Sequence, residues 1–278
     1  MKRLPFHPGR VLLLVLAVLA VAIVLFPVYW MFINALNKPG ASFASMPSLL
    51  PREMNFTSFV EVFEQRPLVR WLINSAIISI GSTALSLVCA VSAAYVLSRY
   101  RSRTLSVLGF TALVTQMLPS VLLVIPMFVL YRQFHLLNSL FGVILSHVSF
   151  IIPLCLWMMK GYFDSIDKSL EEAAVIDGSS RLYAFVRIIL PIALPGVAAT
   201  GIYAFIQSWD EYLFARTFVN SESLYAASVG LSSFIGQYVT LKEHIMAAAI
   251  VVTLPTLVVI FFFQRYLISG LTEGANKG

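Results

Sequence analysis

Residues Leu170–Pro195 read LEEAAVIDGSSRLYAFVRIILPIALP. A polar interval, Glu171-Glu172-Ala173-Ala174 followed by Asp177-Gly178, gives way to Phe185, Ile188 and Leu190-Pro191. Gly178 can end one helix as the residue just past its C-terminus. Ser179 or Ser180 can cap the next. The stretch therefore predicts helix, sharp turn, helix, set between two long apolar runs. In a chain otherwise poor in charge, such an interval reads as a docking element on which something outside the chain pushes.

The chain has 278 residues, of which 59% are hydrophobic and 12% charged. Soluble domains carry roughly 25% charged residues, so the solvent expected here is lipid. The net charge of +6 is no nucleic-acid signature, because Lys and Arg sit in short gaps between apolar runs and form no basic stripe with aromatics. Cys89 and Cys155 lie in apolar runs without a CxxC partner and read as buried thiols. His7, His135, His147 and His244 have no ligand spacing, so no metal site is expected.

Outward from the opening stretch, the apolar runs give an all-α integral membrane protein with six transmembrane helices. The first is Val11–Ile33. It is too long for a signal-peptide core and ends in Tyr29-Trp30-Met31-Phe32, not in a small-residue cleavage site, so it is expected to be retained. An outer loop, residues 34–70, holds Phe56, Phe59, Val60 and Phe63 at helical spacing behind Asn55, an amphipathic helix expected on the outer membrane face. The second span is Trp71–Ser98. The third is Thr104–Tyr131, where Pro119 and Pro126 predict a kink. The fourth is about Leu140–Met159, ended by Lys160; the fifth is Ile188–Trp209, and the sixth His244–Gln264. Ser223–Leu241 is also uncharged, but its Ser, Gly, Gln237 and Thr240 mark it as part of an outer loop, residues 210–243, or a re-entrant segment.

This scheme leaves both termini cytoplasmic. The inside segments then hold Lys2, Arg3, Arg10, Arg99, Arg101, Arg103, Lys160, Lys168, Arg181, Arg187, Arg265 and Lys277, twelve of the 19 Lys and Arg residues. That is the cytoplasmic bias expected of membrane proteins. The whole chain, 1–278, reads as one transmembrane domain, with residues 160–187 as its cytoplasmic loop. No inverted repeat of the secondary-transporter kind is visible. No HExxH, GxSxG or GxxxxGK[ST] occurs, so no enzyme is expected, and any ATP must be held by another polypeptide.

Glu172-Ala173-Ala174, Asp177-Gly178 and Phe185-x-x-Ile188-x-Leu190-Pro191 resemble the EAA loop of permease subunits in bacterial ABC importers. The chain is more specifically similar to the carbohydrate group, and to the second permease of maltose-type systems. The likeness extends to Asn74-Ser75, Ala93-Ala94-Tyr95, Gln116-Met117-Leu118-Pro119, Leu136-Leu137-Asn138, Ile202-x-x-Phe205, Trp209–Ala215 and the tail Gly270–Gly278. It departs at Asp210, where the family often has Asn, and at Asn276, where it often has Val.

The resemblance implies the ABC importer permease fold in the bacterial cytoplasmic (inner) membrane. It implies a sugar substrate, a second permease subunit, two ATPase subunits that bind ATP and Mg, and an extracytoplasmic solute-binding protein meeting the 210–243 loop. No cofactor is expected on this chain itself. Glu171, Glu172, Ala173, Ala174, Asp177, Gly178, Phe185 and Pro191 are the expected ATPase-coupling residues. The small Ala173 and Ala174 permit close approach, and Glu172 can bond a basic ATPase residue. Glu171 is equally readable as part of a solvated helix face. The tail Gly270–Gly278 is expected near the ATPase pair. Asn74, Gln116, Trp209, Asp210, Glu211 and Tyr212 are the candidates to line the substrate pathway, against the plainer reading that they form an interfacial belt or join helices. A self-contained secondary transporter or channel and a purely structural subunit are the competing classes.

Overall fold

The structure is a computed structural model that describes residues 8–38, 40, 49–50, 54–100, 102–235 and 241–273. Among these, every regular element is helical. Lys2, Arg3, Arg101 and Lys277, four of the orientation-setting cations, and the tail beyond residue 273 lie outside the described residues. Four helices are long and apolar enough to cross a membrane: α1 (Pro8–Ala35), α3 (Leu68–Arg99), α6 (Leu140–Ser165) and α12 (Lys242–Glu273). Two further candidates are broken. They are α4 (Arg103–Thr115) with α5 (Ser120–Gln133), bent by 102°, and α8 (Arg181–Ile192) with α9 (Leu194–Asp210), bent by 73°.

Both breaks fall where proline removes a backbone donor. Between α4 and α5 the chain leaves the helix through tight turns at Gln116–Leu118, and Pro119 restarts it with φ −58° and ψ 121°. The expected kink is thus a near-perpendicular break at Pro119, while Pro126 is accommodated inside α5. In α8, Pro191 cannot bond the carbonyl of Arg187. The turn Phe185–Ile189 widens to π geometry, with Leu190 N–H donating to the Phe185 carbonyl. The bend to α9 follows at Ala193, two residues before Pro195. The fifth helical segment therefore begins earlier than expected, at Arg181, and α6 continues past Lys160 to Ser165.

The chain forms two units, Met1–Leu68 with Leu231–Thr253, and Val69–Gly230 with Leu254–Gly278. In the first, the short α2 (Thr57–Gln65) starts where the Asn55 carboxamide accepts from Thr57 N–H at 2.7 Å. Ser58 and Val62 are its buried side, and Glu61 bonds His244 Nε2 at 2.6 Å. Phe56, Val60 and Phe63 face outward. This apolar stripe is left uncovered, as suits a helix lying in a membrane interface.

The second unit is organised on α6, whose Val143, Ser146, His147, Ile151, Cys155, Leu156, Met159 and Phe163 are all buried. It packs along α9 and touches α4 and the short α10 (Leu213–Phe218). Small residues permit the approach: a Cβ on Gly196 of α9 would run into the Tyr162 ring, and one on Gly201 would meet Leu87. Helix α3 presents its own small stripe, Ser75, Ser79, Ser82, Ser86, Ala90 and Ala94, all buried. Beyond α10 lie a 3-10 turn, Glu222–Leu224, and α11 (Ala227–Ser232). Within its described part, the uncharged stretch after Ser223 forms no long helix.

Candidate functional site

Helix α7 (Ser169–Ile176) and the start of α8 form the predicted helix–turn–helix. The turn is a complete Schellman closure: Gly178 N–H donates to Val175 O at 3.0 Å and Ser179 N–H to Ala174 O at 2.9 Å, with Gly178 at φ +86°. Of the two serines left open by the sequence, Ser180 is the cap; its hydroxyl accepts from Tyr183 N–H. At the other end Asp167 accepts from Ser169 N–H, and this bonding holds its carboxyl below the usual carboxylate range.

The motif is bolted from behind by Arg99, the last residue of α3. Its Nε donates to Glu171 Oε1 at 2.5 Å and its Nη1 to Phe163 O at 2.9 Å and Ser98 Oγ at 3.1 Å. Tyr95 O–H donates to the other Glu171 oxygen at 3.0 Å. The Arg99 side chain is 5% exposed and that of Glu171 16%. Sequence reasoning saw Arg99 only as a topology marker; its structural role leaves no local signal. Phe185 continues the bolt into α8, its ring tilted against that of Tyr95 at a centroid separation of 4.3 Å and against that of Phe163 at 6.3 Å.

The front of the motif is bare. Glu172, Ala173, Asp177 and Gly178 are exposed, Ala174 is buried, and Pro191 is exposed beside the bend. Val175, Ile176, Leu182 and Tyr183 also face outward, Ile176 at 84%. A cleft of about 510 Å³ runs between Arg99, Lys168, Glu172, Ile176 and Arg181. The arrangement is a rigid wedge with an apolar tip and a carboxylate on its edge.

A second region lies where α4, α5, α6 and α9 leave a groove of about 620 Å³. Gln116, at the 102° break, donates to Phe150 O at 2.6 Å and lines it. Glu211 lines it too. The Glu211 carboxylate accepts from Phe214 and Ala215 N–H at 2.8 and 3.1 Å, starting α10, and bonds His147 Nε2 at 3.0 Å. His147 Nδ1 bonds Ser208 Oγ at 2.7 Å. Burial alone would push the Glu211 carboxyl up; the His147 bond and the two amides outweigh it and hold it below the usual range.

The other pathway candidates are not gathered here. Asn74 is buried in α3 and donates to Ser223 O and Tyr225 O, both at 3.0 Å, so it ties down the loop after α10. Trp209 is buried and stacks on Phe205, whereas Asp210 and Tyr212 are exposed away from the groove lining. Only Gln116 and Glu211 share the groove. Thr115, Ser120, His147, Ser149, Tyr203 and Gln207, unremarked in the sequence as site residues, also line it. The helical spacing of Tyr203, Gln207 and Glu211 was the one available hint. Asn138, quoted above only as part of a motif, is a loop lock: its Oδ1 accepts from Asn220 and Ser221 N–H, at φ +54°.

A helical membrane component with a solvent-facing wedge and a polar groove between broken helices is the class these features define. The chain belongs to the family of binding-protein-dependent transport system inner membrane components, whose model matches residues 82–273. It is 32% identical over 273 residues to the sulfoquinovosyl glycerol transport system permease protein SmoH of Agrobacterium fabrum, covering 98% of this chain and 96% of that one. It is 34% identical over 266 residues to the trehalose transport system permease protein SugB of Mycobacterium tuberculosis, with coverages of 95% and 96%. The fold is shared with a chain of a bacterial ABC transporter involved in import of the acidic polysaccharide alginate, with TM-score 0.79, 24% identity and coverages of 95% and 99%.

Proposed function

We propose that this chain is the pathway-forming permease subunit of an ATP-driven sugar importer in a bacterial cytoplasmic membrane. It crosses six times, each bent pair counting as one span, with both termini cytoplasmic. A second permease completes the pathway and covers part of the apolar surface left on α1 and α5. Two ATPase subunits, which bind ATP and Mg, receive the α7 wedge; an extracytoplasmic binding protein delivers sugar to the 210–243 side. Several relatives support this reading through their names, among them permeases for sulfoquinovosyl glycerol, trehalose and maltodextrin.

The observation that carries the coupling step is the contrast between the two sides of α7. A lever must be stiff toward the part it moves and free toward the part that drives it. Glu171, Tyr95, Arg99 and Phe185 make the inner side stiff; Glu172, Ala173 and Ile176 leave the outer side bare. Closure of the ATPases on ATP displaces α7, the Arg99 and Phe185 contacts carry the displacement to α3 and α8, and the bend at Ala193 takes up the change in angle. Two states that the ATPase cycle biases differently are what such a coupling requires.

The test uses Glu172→Ala and Gly178→Pro in the assembled importer. Proline cannot adopt φ +86° and removes the donor to Val175 O, so the turn opens. Both variants are expected in the membrane at normal abundance, with ATP-dependent uptake uncoupled or lost. Normal uptake by both sinks the docking role.

A further inference from the structure

We propose that a cavity where α3 ends, α4 begins and α6 ends holds the phosphate of an anionic membrane lipid. It measures about 730 Å³ and is bordered by Ser102, Arg103, Ser106, Lys160, Asp164 and Lys168. Its place on the cytoplasmic side of the membrane rests on the orientation proposed above. Asp164 is the one carboxylate that borders it, and both its oxygens are engaged: Oδ2 accepts from Lys160 at 2.6 Å and Oδ1 from Ser98 at 2.6 Å.

Arg103 and Lys168 are left over. Both are exposed, and neither side chain has a partner within the described residues. Two cations that border one cavity repel each other, and an anion between them turns that repulsion into attraction. A phosphate suits them, because its oxygens accept both the paired N–H groups of a guanidinium and the point charge of an ammonium. The Ser102 hydroxyl, which caps no helix N–H, and the Ser106 hydroxyl stand on the same wall as further donors. Topology accounts for cations at this end of the spans. It does not require that they converge on one cavity.

The surface that continues from the cavity makes the ligand a lipid. Arg103, Ser106, Val107, Phe110 and Val114 stand at i, i+3, i+4, i+7 and i+11, on one face of α4. Arg103 and Ser106 border the cavity, and Val107, Phe110 and Val114 carry the face onward as an exposed apolar stripe. Over that distance the helix rises about 16 Å, roughly half the hydrocarbon thickness of a bilayer. A headgroup in the cavity thus leaves an acyl chain lying along the stripe. Basic pockets between membrane helices on the cytoplasmic side recognise anionic headgroups in this way. A soluble phosphate would use the cations and leave the stripe bare.

The test is native mass spectrometry of the assembled importer, titrated with phosphatidylglycerol or phosphatidylcholine of equal chain length. Phosphatidylglycerol is expected to bind about fivefold more tightly, and Arg103→Gln to remove about that factor, the effect of one cation at an anionic lipid. Ser106→Asp adds a carboxylate to the wall while keeping every cation. It is expected to weaken binding to a similar degree, and it serves if Arg103→Gln fails to assemble. Arg132→Gln, which removes a cation from the last turn of α5, is expected to change nothing. Equal binding of the two lipids overturns the proposal. So does undiminished phosphatidylglycerol binding in both cavity variants, or a loss in Arg132→Gln that matches theirs, which would reduce the effect to net charge. Glycerol phosphate, added at the lipid's own concentration, is expected not to displace it; displacement makes the site one for free phosphates and overturns the lipid assignment. Binding is read without transport, so its failure leaves the importer reading standing.

Discussion

The chain carries two adjacent acidic pairs, Glu171-Glu172 in the wedge and Asp210-Glu211 beside the groove, and each is divided in the same way. One member is bonded inside the protein and the other faces out. Glu171 is held by Arg99 and Tyr95 while Glu172 is free at the surface; Glu211 is held by His147 and two backbone amides while Asp210 is exposed. The order is reversed, inner first in the wedge and inner second at the groove. The partners differ too. Arg99 is a permanent cation that joins α3, α6 and α7, whereas the Glu211 clamp depends on an imidazole and a helix start. The wedge is therefore the stiffer of the two regions.

The largest effect is expected where that stiffness resides. Arg99→Ala leaves Glu171 partly buried without its cation and frees the carbonyl of Phe163. Breaking such a pair from one side costs about 3–5 kcal/mol. A marked fall in detergent melting temperature and loss of co-purifying ATPase are the readouts. Arg99→Lys is not expected to restore either, since one ammonium cannot reach Glu171, Ser98 and Phe163 O in the geometry of a guanidinium. Wild-type stability in Arg99→Ala breaks the comparison at its stronger side.

Glu211→Ala comes next. It removes the N-terminal bonds of α10 and leaves one nitrogen of a buried imidazole without its partner, at about 1–3 kcal/mol for an abandoned buried polar group. Limited proteolysis of the loop after Leu213 is expected to accelerate, while the wedge keeps its protection. If proteolysis at both regions rises together, the two are not the separate clamps described here.

A smaller effect follows from acidity. The Glu211 carboxyl is held below the ordinary value of 4.5, so the stability it contributes is present above that value and is lost as pH falls through its lower, folded-state value. The groove clamp is thus expected intact at pH 5. In Glu211→Gln the acid limb of the stability curve below pH 4.5 is expected to be shallower than in the wild type. An acid limb of unchanged slope removes Glu211 from the account.

How these pairs divide was only half legible in the sequence. The wedge's helix and turn followed from Gly178, and its cap was narrowed to Ser179 or Ser180, because local backbone chemistry decides them. Four long helices followed from apolar runs, and the break between α4 and α5 from Pro119, whereas the break between α8 and α9 was not anticipated although Pro191 and Pro195 flank it. What stayed hidden were contacts between residues distant along the chain. Arg99 and Glu171 are 72 positions apart, and His147 and Glu211 are 64 apart. Periodicity cannot see such pairs. Asn74 looked like a pathway residue for the same reason: a polar side chain in a span is equally suited to a substrate or to a carbonyl 149 positions away.

The smallest effects are expected at the two outward members, and they separate function from folding most sharply. Neither Glu172 nor Asp210 has a bonded partner within the described residues, so Glu172→Gln and Asp210→Asn are each expected to shift stability by no more than about 0.5 kcal/mol. Their effects on transport should then diverge. Glu172→Gln takes away the charge offered to a basic ATPase residue, so it is expected to lower uptake at unchanged melting temperature and abundance. Asp210→Asn makes no such change at the wedge and lies off the groove lining, so its uptake is expected to stay near wild type. If instead Asp210→Asn is the variant that loses transport, the outer face beside the groove, and not the bare front of α7, is where this chain meets a partner that matters.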